Sequence, residues 1–346
     1  MNLGVVFVAI DLDAQIYAAL EQYFDDGKWN VDANESGVNN TTRFVSYGNY
    51  KFVMRIYENH ADLDKVRFEY SILQKLQLSK LPFQIPKPVR ALNGEYYTLM
   101  PTGKISILFE YLEGTRAVLT DKGHVTSIGS AMGALVTALA YINVGLEAAY
   151  EPYYDLYEIH PLVTREKLTE WLLSMQEGQY KKEAMLLETE INNLLNNLSN
   201  LKQLPVQLVH SDLVASNVLT KEDEVSAVLD FEFVTPDLRA MDAAVFINEL
   251  IRYHSDRWEL LEAFIKGYAE TADLNTAEIK ALPQLILLRS IVLCIHFLGR
   301  QWAGIDPPND SEPYLDSFVK VHKWISLNQE RILKLCYLCF EQEVSE

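Results

Sequence analysis

Basic residues are scarce in this chain. Thirty Lys and Arg stand against 48 Asp and Glu, a formal net charge of −18 over 346 residues. A groove for a nucleic-acid backbone selects for clustered Lys and Arg, so no nucleic-acid partner is expected. The acidic excess reads either as a solubility device or as a field that attracts a cationic substrate, and an anionic nucleotide needs local cations or Mg²⁺ beside it. Cysteine is sparse too. Cys294, Cys336 and Cys339 cannot all pair, and the last two stand three apart in an apolar helical stretch, the pattern of buried free thiols in a reducing cytoplasm. Residues 1–8 are apolar but lack a basic start, and Asp11 and Asp13 follow, so no secretory signal is expected. The longest apolar run, residues 282–298, is broken by Gln284, Arg289 and His296, which favours a buried helix over a membrane span, and no membrane partner is expected. Internal repeats and low-complexity tracts are absent.

What is present is an ordinary globular composition, 49% hydrophobic and 23% charged, with length for two lobes. Residues 13–26 have helical spacing, with Gly27 as the stop. A polar loop at residues 34–42 holds one glycine, Gly37, and reads as a phosphate cover or an ordinary turn. Strand formers at 43–47 and 50–57 flank the Gly48-Asn49 turn. A helix over 59–76 carries Glu69, which an Arg55 on the preceding strand could meet as an ion pair. Residues 81–88 hold three prolines and must be a connector. Residues 96–100 and 106–111 form another hairpin. The first 110 residues thus read as a small α+β lobe, and residues 111–346 as a mainly helical one, with helices near 125–145, 165–200, 241–253, 257–271, 276–301 and 315–340.

The polar chemistry concentrates in one place. Val209-His210-Ser211-Asp212-Leu213 runs to Asn217, and Val228-Leu229-Asp230-Phe231-Glu232 follows. Any one Asp here could be a turn former. The set supplies a carboxylate to receive a hydroxyl proton, and an amide with a second carboxylate to hold Mg²⁺, the needs of phosphoryl transfer.

His210-Ser211-Asp212-Leu213 with Asn217 resembles the protein-kinase catalytic loop, with Ser where kinases carry Arg, and Asp230-Phe231-Glu232 resembles their metal-binding triplet, with Glu for Gly. These departures are similar to those of the aminoglycoside phosphotransferase superfamily, which includes choline, methylthioribose and type II homoserine kinases. Residues 37–42, 52–57 and Arg67-Phe68-Glu69 resemble that family's small lobe, and Asp242 its Asp in the helix after the triplet.

The resemblance implies a two-lobed protein-kinase-like α+β fold with a small antiparallel-sheet lobe. It implies ATP and Mg²⁺ as cofactors and a small-molecule hydroxyl acceptor, such as an amino alcohol, an amino acid like homoserine or an aminoglycoside. Asp212 is then the catalytic base, and Asn217 and Asp230 the metal ligands. Arg55 meets the nucleotide phosphates where relatives often carry Lys, Lys51 could share that task, and Glu69 holds Arg55. Backbone groups around Glu110 and Leu112 meet adenine between the lobes. His210 and Asp242 shape the loop. Asp237, Arg239, Arg300 and Trp302 are acceptor-side candidates. The resemblance leaves a homodimer open. It also leaves a second reading, a catalytically silent structural protein of the same fold, as in bacterial spore coats. A protein substrate is disfavoured because Asp230 and the helix near Met241 leave little room for a peptide-docking segment.

Overall fold

The computed structural model describes residues 12–32, 40–58, 60–308 and 312–340. Residues 1–8 and 34–39, read above for a signal and a polar loop, lie outside the described residues. The chain divides into two units, one of Met1–Leu78, Gln84–Glu113 and Val144–Leu146, the other of Ser79–Phe83, Gly114–Asn143 and Glu147–Glu346.

In the first unit, helix α1 (Leu12–Leu20) leads to strands β1 (Trp29–Asp32), β2 (Asn40–Tyr47) and β3 (Tyr50–Tyr57). The helical spacing to residue 26 is not used. Past Leu20 the backbone tightens into i→i+3 bonds, Tyr23 is buried, and its hydroxyl accepts the Leu108 amide at 3.2 Å. Burial of one ring thus overrides the local period. Alternation along β3 sets two faces. Met54 and Ile56 join Ile16, Leu20 and Trp29 in one core. Arg55 and Tyr57 point the other way, towards helix α2 (Leu63–Leu76), which begins at Asp62, whose carboxylate accepts the Asp64 amide at 2.9 Å. Strands β4 (Thr98–Leu99) and β5 (Ile105–Glu110) complete an antiparallel sheet in the order β1-β2-β3-β5-β4.

The second unit opens with β6 (Thr115–Arg116) and helices α3 (Lys122–Leu139), α4 (Arg165–Met175) and α5 (Lys181–Leu201). Two small antiparallel pieces follow. Strand β7 (Val206–Val209) and hairpin β8 (Val218–Lys221)–β9 (Glu224–Val228) come first, then β10 (Thr235–Leu238), which pairs with β7. Helices α6 (Met241–His254), α7 (Trp258–Ala269), α8 (Thr276–Trp302) and α9 (Glu312–Cys339) finish the chain. Glycines let α3 and α7 approach at backbone distance: a Cβ on Gly267 would stand 2.1 Å from the Thr126 carbonyl. α8 is long and apolar enough to cross a membrane by length and composition, but 67% of its apolar window is buried in the protein. Its start is held by a capping box between Asn275 and Glu278. All three cysteines are free. Cys294 and Cys336 are buried, which pushes both thiols up to about 12, whereas Cys339, expected inside, is partly exposed at the end of α9.

Candidate active site

The β7–β10 ribbon brings two distant chain segments to one end. β7 runs directly into His210, and β10 leads through Arg239 and Ala240 into α6. Asp242, in the first turn of α6, therefore meets the loop after β7. Its carboxylate accepts the amides of His210 and Ser211, each at 2.8 Å. Burial pushes its pKa up, and His210 with these two amides opposes that. Ser211 takes φ +69°, a left-handed conformation that costs a non-glycine residue and that the Asp242 clamp holds in place.

The β8–β9 hairpin does the same for the metal-type residues. Asn217 precedes β8 and Asp230 follows β9, so pairing of Val218 with Val228 puts both at the hairpin's open end, where the Leu229 amide donates to Asn217 O at 2.8 Å. The Asn217 amide nitrogen donates to the Asp212 carbonyl (2.9 Å) and to Asp212 Oδ2 (3.1 Å), which leaves its oxygen Oδ1 for another partner. His210 ties loop to triplet. Its Nδ1 accepts the Asp212 amide (3.3 Å), its Nε2 donates to Leu229 O (2.9 Å), and Phe231 packs edge-on at 4.7 Å between ring centres. Asp230 also has positive φ, +63°. Its charge favours the cation on Arg116 in β6, against the lowering by burial.

Three residues beside Asp212 escaped the sequence reading. Arg289, on α8, donates to Asp212 Oδ1 at 2.7 Å and to the Tyr153 hydroxyl. Tyr153 donates its hydroxyl to Ser211 O at 2.5 Å and its amide to Asp237 Oδ2 at 2.8 Å. Glu249, on α6, accepts the Ala215 amide at 2.7 Å; burial pushes its carboxyl up to about 7, with Asp212 adding to the rise and Arg289 and Arg252 opposing it. Burial opposes the charge of Arg289 as well, yet Tyr153 and Asp212 outweigh it and its pKa is raised. The separations in sequence, 77 residues for Arg289 and 58 for Tyr153, carry no local pattern. One signal was present: a lone Arg inside an apolar helical run must find a counter-charge.

The other acceptor-side candidates are occupied with structure. Buried Asp237 also accepts the Leu238 amide, at 2.6 Å. Arg239 pairs with Glu278, and Arg300 makes two 2.7 Å bonds to Asp306. Trp302 closes α8.

In the first unit, Arg55 and Glu69 form the expected ion pair at 2.9 Å, and the Tyr57 hydroxyl donates to the second Glu69 oxygen at 2.5 Å. Lys51 stands four residues before Arg55 on β3, its amine 5.7 Å from the Tyr111 ring centre. Glu110 ends β5 and pairs with Lys87 at 2.5 Å. The amides of Glu110 and Tyr111 donate to the carbonyls of Lys87 and Lys51, each at 3.0 Å, and Leu112 follows in irregular backbone.

Among the described residues, no three His, Cys, Asp or Glu side chains gather as a protein-only metal cage. A hard cation that completes its shell with water and phosphate oxygens needs only one or two protein oxygens, and Asn217 Oδ1 with Asp230 fits that requirement.

Solved structures share this architecture. An amicoumacin kinase superposes with a TM-score of 0.66 at 15% identity, covering 94% of each chain. A microcompartment-associated aminopropanol kinase gives 0.66 at 16%, covering 92% of this chain and 98% of the other. Choline kinase from Cryptosporidium parvum gives 0.60 at 15%, covering 92% and 95%. The fold is that of the protein-kinase-like phosphotransferases. The model of the phosphotransferase enzyme family matches residues 30–281, most of the chain, and the protein belongs to that family. Among curated relatives, the homoserine kinase of Zymomonas mobilis is 23% identical over 304 residues, 86% of this chain and 89% of that one. That of Rhizobium etli is 26% identical over 257 residues, 72% and 74%.

Proposed function

We propose that this phosphotransferase moves the γ-phosphoryl group of ATP to a hydroxyl of a small amine-bearing molecule, with Asp212 as base. The observation that carries the reading is the anchoring of Asp212, Asn217 and Asp230 to one another through His210, Leu229 and Asp242. That arrangement holds a base and two cation ligands in fixed relation, and positioning is most of what phosphoryl transfer asks of a protein. Asp212 accepts the proton of the attacking hydroxyl, which keeps the oxygen nucleophilic as it meets phosphorus. Asn217 Oδ1 and Asp230 would hold Mg²⁺, which when bound would supply positive charge to offset that of the phosphates. Arg55, kept in place by Glu69, would be the cation for the nucleotide phosphates. With the Glu110 and Tyr111 amides already engaged, a purine would use the Glu110 carbonyl and the Leu112 amide.

The completed Arg55–Glu69 pair and relatives named as kinases support an active enzyme over a silent scaffold. A reducing compartment such as the cytoplasm suits three free cysteines. The test is Asp212→Asn with Mg·ATP and a panel of amino alcohols, amino acids and aminoglycosides. The expected result is loss of transfer by roughly 100-fold or more with nucleotide affinity nearly kept. Parent-level activity in this variant would remove Asp212 as the base.

A further inference from the structure

Asp212 is gripped at both carboxylate oxygens. The Asn217 amide donates to Oδ2 at 3.1 Å, and one terminal nitrogen of Arg289 donates to Oδ1 at 2.7 Å. The torsion that turns an aspartate carboxylate is soft, so a bond to one oxygen leaves its plane free to swing. A second bond to the other oxygen fixes that plane. The first grip comes from the loop itself, five residues on, whereas the second comes from α8, 77 residues away.

Tyr153 places the guanidinium in turn. The other terminal nitrogen of Arg289 donates to the Tyr153 hydroxyl, and the guanidinium centre lies 5.5 Å from the Tyr153 ring centre. The same hydroxyl donates to Ser211 O at 2.5 Å, so one phenol oxygen joins α8 to the residue before the base. The Tyr153 amide donates at 2.8 Å to Asp237 in β10, whose partner strand β7 leads into His210. Carboxylate, guanidinium, phenol and loop backbone thus form one closed circuit. Exposure falls away from the base inwards: the Asp212 side chain is 26% exposed and that of Arg289 only 10%. Each Asp212 oxygen keeps lone-pair capacity beyond the bond it already accepts, so a hydroxyl can still be received on the open side.

We infer that Arg289 and Tyr153 are positioning residues for the transfer: Arg289 sets the orientation of the Asp212 carboxylate, and Tyr153 sets Arg289. The inference rests on the kinase reading and deepens it, and neither residue touches acceptor or nucleotide in it. A proton acceptor must meet the attacking hydroxyl at hydrogen-bond distance and in a fixed direction, and a displacement of about 1 Å costs on the order of 100-fold. The planar fork of arginine suits the task, because it donates to Asp212 and Tyr153 from one rigid plane, which a lysine ammonium on a flexible stem does not reproduce.

Steady-state kinetics with Mg·ATP test this, with L-homoserine, ethanolamine and the rest of the hydroxyl panel as acceptors. Arg289→Met should lower kcat roughly 30-fold or more, with KM for ATP and acceptor held within about 3-fold. In an Asp212→Ala background the same substitution should change the residual rate by less than about 3-fold, because no carboxylate is left to orient. Tyr153→Phe keeps the buried ring and removes one hydroxyl. It should lower kcat by roughly 10-fold and show the same dependence on Asp212, which keeps the test open if Arg289→Met does not fold. Arg289→Lys should recover only part of the Arg289→Met loss. Thermal midpoints check folding, and calorimetric titration with Mg·ADP, a readout without turnover, should give near-parental affinity in every variant. Equal fold-losses with and without the Asp212 carboxylate overturn the inference, since the effect would not pass through the base. Full recovery by Arg289→Lys overturns it too, since charge without geometry would then suffice, as does a loss confined to KM. No ATP consumption with any hydroxyl acceptor removes the kinase reading and the inference with it, whereas equal losses in an active enzyme remove the inference alone.

Discussion

Asp242 touches neither a reacting atom nor a cation in this reading, yet the loop depends on it. Its two oxygens accept the consecutive amides of His210 and Ser211, where Ser211 turns left-handed. In Asp242→Asn the amide NH₂ must face one of those N–H groups, so a buried donor loses its acceptor. Loss of about 2–4 kcal/mol of stability is expected by denaturant titration, with transfer falling in the fraction that stays folded. Glu69 is the counterpart in the first unit. Glu69→Gln breaks the ion pair at Arg55, and KM for ATP is expected to rise about tenfold with kcat changed less, as a steady-state assay with ATP varied would show. Glu249 gives a pH signature. Its carboxyl lies at about 7 in the folded protein against an ordinary 4.5. A raised acid pKa means the folded state holds the proton more tightly, so the contribution to stability falls as pH rises from about 4.5 to about 7 and is level above. Glu249→Gln keeps an acceptor for Ala215 and removes that slope. Denaturation at pH 5 and pH 8 should find the variant gaining about 1–3 kcal/mol on the parent at pH 8 and little at pH 5.

At the scale of elements, the two short antiparallel pieces decide where the chemistry sits. β7–β10 delivers His210 to the start of α6, and β8–β9 delivers Asn217 to Asp230. Each piece is held by only a few backbone bonds, and the helices around them supply the burial that keeps the pairing. The α3–α7 contact is the tightest test of that helical packing. Gly267→Ala places a methyl 2.1 Å from the Thr126 carbonyl, a backbone atom that cannot swing aside. The helices must part, and thermal unfolding should register a loss of about 2–4 kcal/mol, with residual activity per folded molecule near the parent's because α7 carries none of the site residues.

For the whole molecule, the net charge of −18 is the dominant electrostatic fact. Self-repulsion opposes compactness and is screened over about 8–10 Å at physiological salt. Raising NaCl from about 10 to 150 mM is therefore expected to raise the thermal midpoint, and a scanning fluorescence series would measure it. A midpoint flat in salt would mean that the acidic residues are already offset locally, as Glu69, Glu278 and Asp306 are by Arg55, Arg239 and Arg300.

The residues that make the chemistry legible lie close together in the chain. Asp212, Asn217 and Asp230 fall within one stretch whose apolar runs and turns are local, so the sequence set them side by side, and the motifs around them carried the resemblance to the family. The Arg55–Glu69 pair was also readable, since a strand followed by a packed helix puts those side chains on facing surfaces. Tertiary structure alone decided the rest. α1 stops at Leu20 because Tyr23 finds a buried place under the sheet, which no local spacing foretells. Asp237, Arg239 and Arg300 turned out to be structural because their partners lie elsewhere in the fold. Arg289 reaches Asp212, and Glu249 the Ala215 amide, from helices further along the chain, and partners that distant are fixed by packing. Local motifs carried the resemblance; long-range packing chose what surrounds Asp212.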